Sequence, residues 1–408
     1  MSKYVIIGNS TAGIAAAEAI RKKDKKGSLT IISEEKGPAY GRPLISYYLQ
    51  GVTNDETLPY RPDDFYKKLN IDLKDGVKAE KIDAESKKVY LSDGKTVSYD
   101  KLLVATGSVP FVPPTPGLDS VREKFTFYTI EDARKLKAAL NPDTRLLIIG
   151  AGLIGLKCME GAYDITRNIT VIDLADRVLS SVLDEECADP VQRKIEEKGV
   201  KLVLKDKVKE FYENYCVTDG GLKIEFDAVV TAVGVKPNVA LIADAGGKIN
   251  RGIVTDLKQR TSLPDVYAAG DCTVSFDSSS GTEKVMAVLP NAYFQGEVAG
   301  YNMAGEDREI CNLLPLNSIG FFGLHVLSAG STQGEMTEVK GENFMKRFFI
   351  KDNLLTGFML IGNYDRAGIL LSLIRERVPL DTVDFKAMTA LPELVFFPQS
   401  VRREKLDR

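Results

Sequence analysis

Tyr4-Val5-Ile6-Ile7 runs into Gly8-Asn9-Ser10-Thr11-Ala12-Gly13, and a helical stretch, Ile14–Lys23, follows. A second apolar run, Leu29-Thr30-Ile31-Ile32, then ends at Ser33-Glu34-Glu35. Near the middle of the chain the same order returns. Leu146-Leu147-Ile148-Ile149 feeds Gly150-Ala151-Gly152-Leu153-Ile154-Gly155, a helical stretch to about Arg167 follows, and Ile169-Thr170-Val171-Ile172 ends at Asp173. Each copy reads strand, glycine turn, helix, strand, acid: one βαβ unit of a parallel sheet.

The second copy carries all three glycines of a dinucleotide fingerprint. Gly150 allows the tight turn out of the strand, Gly152 lets the backbone approach a pyrophosphate, and Gly155 lets helix pack closely on strand. The phosphates are expected at the helix N-terminus, where free N–H groups and the macrodipole favour negative charge. Asp173 lies at a strand end, placed to accept hydrogen bonds from an adenosine ribose, and an acid there repels a 2′-phosphate. The reading is therefore NADH rather than NADPH. The first copy is less regular. Ser10 stands at the middle position and adds a Cβ, while Ala12 keeps the helix start slim and Glu34 closes the next strand. Two dinucleotide sites on one chain predict a relay between a tightly held redox cofactor and an exchangeable nicotinamide.

Composition narrows the chemistry. The chain has 408 residues, 44% of them hydrophobic, with 54 Lys+Arg against 57 Asp+Glu and a formal charge of -3. There is no global basic field with which to hold nucleic acid or an acidic membrane. Five cysteines in a chain of this length do not make a disulfide framework. A single histidine, His325, removes most histidine-based metal sites and the Ser/His/Asp hydrolase reading, so no metal site is expected. The apolar strand begins almost at Met1, with no signal-peptide pattern, and no apolar run is long enough to span a bilayer. The expected location is cytoplasmic.

Between the two copies, Lys88–Leu91 and Ser92-Asp93-Gly94-Lys95 read as strand and turn, and Val109–Gly117, with four prolines, reads as a stiff connector between domains. A second crossing is expected at Val235-Lys236-Pro237-Asn238. Ser275–Gly281 reads as a surface loop. Beyond Cys311, Asn343–Ile350 and Leu354–Ile361 flank a turn as a hairpin, with a helical stretch around Arg366–Arg377.

The two fingerprints, together with Leu103-Val104-Ala105-Thr106-Gly107-Ser108, Ala232-Val233-Gly234-Val235-Lys236-Pro237-Asn238, Val266-Tyr267-Ala268-Ala269-Gly270-Asp271 and Pro290-Asn291-Ala292, resemble the pyridine nucleotide–disulfide oxidoreductase superfamily over essentially the whole chain. The resemblance implies an α/β architecture of two Rossmann-like dinucleotide-binding domains, an FAD domain interrupted by an NAD domain, plus a small α+β C-terminal domain. The expected limits are 1–108 and 236–310 for the FAD domain, 109–235 for the NAD domain and 311–408 for the C-terminal interface domain. It also implies that Gly8, Ser10, Ala12 and Gly13 bind the FAD pyrophosphate and Glu34 the adenosine ribose, with Ala79 lining the adenine site through its backbone. Thr106 and Gly107 would close the FAD site, Asp271 would hold the ribitol chain and bordering phosphate, and Leu289 matches a backbone position beside the isoalloxazine. Gly150, Gly152, Leu153, Ile154, Gly155, Asp173 and Gly234 fall to NAD.

The departures from the family pattern are informative. Disulfide reductases of this superfamily carry paired cysteines after the first acid, and peroxidase and water-forming oxidase relatives carry one. Here Gly37–Leu49 contains none, so disulfide or sulfenate chemistry has no nucleophile beside the flavin. Tyr40-Gly41-Arg42-Pro43-Leu44-Ile45-Ser46 instead resembles the rubredoxin- and ferredoxin-reductase branch and the flavin domains of assimilatory nitrite reductases. Arg42 would bring positive charge to the flavin or the FAD phosphates. Lys157 stands where many members have glutamate, and would stabilise anionic reduced flavin or face solvent. His325 reads as structural; Cys158, Cys187, Cys216 and Cys311 read as core, and Cys272 as packing. The basic run from Arg21 complements the first helix's C-terminal dipole, and the tail Arg402-Arg403-Glu404-Lys405 would steer an acidic partner or simply be solvated. The expected function is FAD-dependent transfer of electrons from NADH to an iron–sulfur carrier, by a free reductase or by a subunit of a homo-oligomer or hetero-complex, in either direction. The alternatives are a stand-alone NADH oxidase using oxygen and the flavin subunit of a nitrite-reductase-type system.

Overall fold

The computed structural model describes residues 1–406; the last two positions of the expected 311–408 segment lie outside them. Two parallel sheets of five strands organise the chain. The first runs in the order Val266–Ala268, Lys101–Val104, Lys3–Ile7, Ser28–Ser33, Asp72–Asp75. The second runs Lys201–Val203, Ile169–Ile172, Leu146–Ile149, Ala228–Thr231, Lys124–Phe125. In both sheets the first strand of the βαβ unit sits centrally, with Ile7 beside Ile32 in one and Ile149 beside Ile172 in the other. The near-continuous apolar runs follow from this position: Val5 and Ile6, like Leu147 and Ile148, are buried because helices or smaller sheets cover both faces.

The chain leaves the first sheet and returns to it. Ser108–Pro110 on the way out pairs antiparallel with Val235–Pro237 on the way back, so the proline-rich exit and the second crossing form one two-stranded ribbon. Val266–Ala268 then adds parallel to Lys101–Val104. A third, antiparallel sheet follows, in the order Leu316–Phe321, Leu324–Gly330, Leu354–Ile361, Phe344–Lys351, Glu335–Gly341. It contains the expected hairpin, and the helix Ala367–Arg375 packs against it. On its other face, Phe321, Val326, Phe349 and Met359 share a core with Leu156 and Met159 of the helix Leu153–Ala162. The third sheet is thereby pinned to the second βαβ unit.

Two expectations need correction. Cys311 is exposed, because it follows the end of the helix Leu289–Met303 in irregular chain. Ser275–Asp277 belongs to the strand Thr273–Asp277, whose buried Asp277 anchors the turn through Ser279 and Ser280. The basic run stands in the last turn of the helix Thr11–Lys23, as Arg21, Lys22 and Lys23. Arg21 is also buried, and its guanidinium donates to the carbonyls of Asp24, Gly27, Leu69 and Asn70, which fixes the connection to the next strand. No helix among the described residues is long and apolar enough to cross a membrane.

Candidate functional site

The sequence echo becomes a spatial one at the two glycine loops. Gly8 (φ 120°) and Gly150 (φ 111°) leave their strands in the left-handed region. A Cβ there would lie 2.1 Å from the Ala105 carbonyl oxygen in the first case and 2.4 Å from that of Ala232 in the second. Gly13 and Gly155 sit where the helices cross back over these loops, and a Cβ would fall about 2 Å from the oxygens of Gly8 and Gly150. Ser10 and Gly152 are the residues before the helices Thr11–Lys23 and Leu153–Ala162, and neither helix start has a side-chain cap. The first-turn N–H groups of both are left for a ligand. Asp173 braces the second loop, accepting from Ala151 N–H at 2.6 Å and Ala175 N–H at 2.7 Å. Each carboxylate oxygen keeps a lone pair for a ribose hydroxyl.

A cleft of about 1430 Å³ runs from the first loop to the third sheet. It draws together Gly8, Ser10, Ala12, Glu34, Arg42, Ala79, Thr106, Gly107, Asp271 and Leu289, and Leu153, Ile154 and Lys157 from the second unit. Gly13, Gly150, Gly152, Gly155, Asp173 and Gly234 lie outside its lining. Thr106 and Gly107 are fixed by Asn238, whose carbonyl accepts from the Thr106 hydroxyl at 2.7 Å and whose N–H donates to Gly107 O at 2.9 Å.

Arg42 is no surface arginine. It pairs with Glu35, donates to Tyr128 O at 3.1 Å and lies over the Tyr128 ring at 4.7 Å. Tyr40 completes the cluster, donating to Glu35 at 2.6 Å and accepting from Ile130 N–H at 3.0 Å. Burial, opposed by Arg42, raises the Tyr40 phenol. The sequence reading quoted Glu35, Tyr40 and Asn238 within its motifs without giving them a role, and it missed Tyr128. Glu35 and Tyr40 are local to Arg42, whereas Tyr128 arrives from a distant element.

Asp271 contrasts with these satisfied groups. Its carboxylate has no hydrogen-bond partner among the described residues, and burial pushes it up to about 6 against the lowering field of Arg42. It is an acceptor held ready for donors that come from outside the protein. Lys157 is mostly buried, paired with Glu160, 3.4 Å from Gly320 O and 4.9 Å from the Tyr47 ring centre. Glu160 in turn accepts from Phe322 N–H at 2.7 Å, which excludes a solvent-facing role for the pair and ties helix to third sheet. His325 reaches the cleft wall, hydrogen-bonded to Ser318 at 2.9 Å, with its ring centre 4.0 Å from that of Tyr364 and tilted 31° to it.

No cysteine lines the cleft among the described residues. Cys158, Cys187, Cys216 and Cys272 are buried in cores, and burial pushes the Cys272 thiol up to about 11. The residues present fit a dinucleotide. The cleft exceeds the roughly 300–1,000 Å³ of a drug-sized site, one end offers an uncapped helix start for phosphates, and an orphan carboxylate awaits hydroxyl donors.

Residues 2–296 match the pyridine nucleotide-disulphide oxidoreductase family. The chain is 29% identical over 392 residues to the NADH-dependent phenylglyoxylate dehydrogenase subunit epsilon of Aromatoleum evansii, covering 93% of each. It is 32% identical to the assimilatory nitrate reductase electron transfer subunit of Bacillus subtilis over 92% of this chain, but spans only 49% of that protein. The crystal structure of NADH:rubredoxin oxidoreductase from Clostridium acetobutylicum is 25% identical, with a TM-score of 0.74 over 93% of this chain and 95% of that one. The chain therefore belongs to the pyridine nucleotide-disulphide oxidoreductase family, as an oxidoreductase that works with FAD and NADH.

Proposed function

We propose that the protein takes a hydride from NADH onto FAD held in the long cleft and passes the electrons singly to an iron–sulfur carrier. The observation that carries this reading is the sulfur-free cleft: no thiol stands beside the cofactor to divert electrons into disulfide or sulfenate chemistry. FAD, when bound, accepts two electrons together and releases them one at a time. The chain's own residues bind and align. Gly8, Ser10, Ala12 and Gly13 present N–H groups to the pyrophosphate, Glu34 takes the ribose, Ala79 borders the adenine, and Thr106 and Gly107 close the wall. Asp271 accepts from the ribitol hydroxyls, Leu289 borders the ring, and Arg42 sets a positive field opposite Asp271. Gly150, Gly152, Gly155 and Asp173 hold NADH, with Leu153, Ile154 and Gly234 at its sides. Lys157 keeps a cation where negative charge develops on reduction. The modules are taken as 1–108 with 236–310, 109–235 and 311–408.

Two relatives' names support an electron-transfer subunit within a larger enzyme, a phenylglyoxylate dehydrogenase and a nitrate reductase; the rubredoxin reductase supports a free one. Either arrangement is compatible with the chemistry proposed for this chain. The five unpaired cysteines suit a cytoplasmic setting. The test is anaerobic: protein reduced by NADH is mixed with oxidised rubredoxin and with ferredoxins. Catalytic reduction of such a carrier is expected. Steady oxygen uptake with NADH and no reduction of any carrier would instead establish an oxidase.

A further inference from the structure

A hydride carries one hydrogen nucleus and two electrons, whereas an iron–sulfur carrier takes electrons alone. Each turnover of NADH with two oxidised carriers must therefore yield NAD⁺, two reduced carriers and one free proton. That proton has to leave the cleft. His325 stands in the cleft wall on the strand Leu324–Gly330, directly paired with Gly320, whose carbonyl accepts from Lys157. Leu153, Ile154 and Lys157 of the second nucleotide unit line the same cleft. One ring nitrogen, Nε2, is engaged with the Ser318 hydroxyl at 2.9 Å, and Ser318 is exposed. The other, Nδ1, has no protein partner among the described residues and points past the Cα of Gly320, where a Cβ would lie 3.6 Å from it. A Cβ at position 320 would meet this nitrogen at ordinary van der Waals distance.

We propose that His325 accepts the proton released in the cleft when the electrons depart, and passes it through Ser318 to solvent. The proposal rests on the one-electron reading given above. The surrounding groups suit the task. Lys157 and Glu160 on the neighbouring helix are paired with each other, Tyr47 lies over Lys157, and Tyr364, followed by Asp365, covers the ring. No carboxylate hydrogen-bonds the imidazole among the described residues. Partial burial lowers its basicity, which leaves it neutral near pH 7 and able to accept.

Because His325 is the only histidine, its imidazole resonances are unambiguous in untagged protein. An NMR pH titration of the FAD-loaded protein, oxidised and then reduced anaerobically with NADH, is expected to show the imidazole pKa rising by about one unit or more on reduction. An unchanged value overturns the proposal. The second arm uses His325→Gln, with flavin content and absorbance confirming that it is folded. NADH-reduced protein is mixed with ferricyanide in weak buffer with a pH indicator. Proton release is expected to lag flavin reoxidation by about tenfold or more in the variant and to coincide with it in the parent. Release that keeps pace in the variant refutes the role. Ferricyanide takes single electrons whatever the natural acceptor is, so failure to reduce iron–sulfur proteins would remove the functional reading without imitating either result.

Discussion

Replacing Asp271 by Asn should make the FAD-free protein more stable and its hold on FAD weaker. The orphan carboxylate is carried at a cost: burial raises it from the ordinary 3.8 to about 6. That shift is equivalent to about 3 kcal/mol at most, and water reaching the cleft face of the side chain reduces it to about 1–2 kcal/mol. The sign follows from linkage. A carboxyl whose folded value is raised contributes no penalty below pH 3.8, where it is protonated in both states; stability is lost as pH rises through about 6. Urea unfolding of FAD-free parent and Asp271→Asn should therefore diverge at pH 7.5, with Asn more stable by about 1–2 kcal/mol, and converge as the pH is lowered. Asparagine keeps the shape and can still accept, but without charge, so FAD should bind about tenfold or more weaker. An Asn variant that is less stable without FAD at pH 7.5, or binds FAD as tightly as the parent, would refute this account of the cleft.

Other perturbations report on separate parts of the molecule. Arg347 is nearly buried and pairs with Asp184, Glu186 and Glu338, joining the second βαβ unit to the third sheet. Arg347→Met leaves Asp184 without its cation while Lys340 still pairs with Glu186 and Glu338, and should lower stability by about 1–3 kcal/mol, measurable by chemical unfolding. Gly155→Val should abolish NADH binding in a titration while FAD stays bound, because the Cβ would meet the Gly150 oxygen at 1.9 Å. A variant with all five cysteines replaced by Ser or Ala should still be reduced by NADH at a rate within a few-fold of the parent in stopped flow. Asp173→Ala should raise the NADH concentration needed for half-maximal reduction by about tenfold or more, since the loop brace and a ribose acceptor are lost together.

What the sequence made legible is what local pattern determines. The paired strand–glycine–helix units could be read because Gly8 and Gly13, like Gly150 and Gly155, sit at fixed offsets where backbone crosses backbone, and only glycine fits there. The hairpin of Phe344–Lys351 and Leu354–Ile361 was equally readable from two apolar-rich runs flanking a polar turn. The Arg42 cluster was not, because Glu35 and Tyr40 meet Tyr128 and Ile130 from two distant stretches of chain and no periodicity links them. His325 shows the same limit. Strand alternation sets it on the face opposite Val326, the residue packed against Leu153–Ala162, and only the assembled fold makes it part of the cleft wall. Cys311 misled, since residue type alone predicts burial poorly where irregular chain decides it.

The most direct measurement is an anaerobic titration of the FAD-loaded protein with NADH, following the flavin absorbance to completion. With no sulfur in the cleft, about one NADH per FAD should bleach the flavin fully, and no further equivalents should be consumed. A requirement for about two NADH per FAD would reveal a second redox centre and contradict the account.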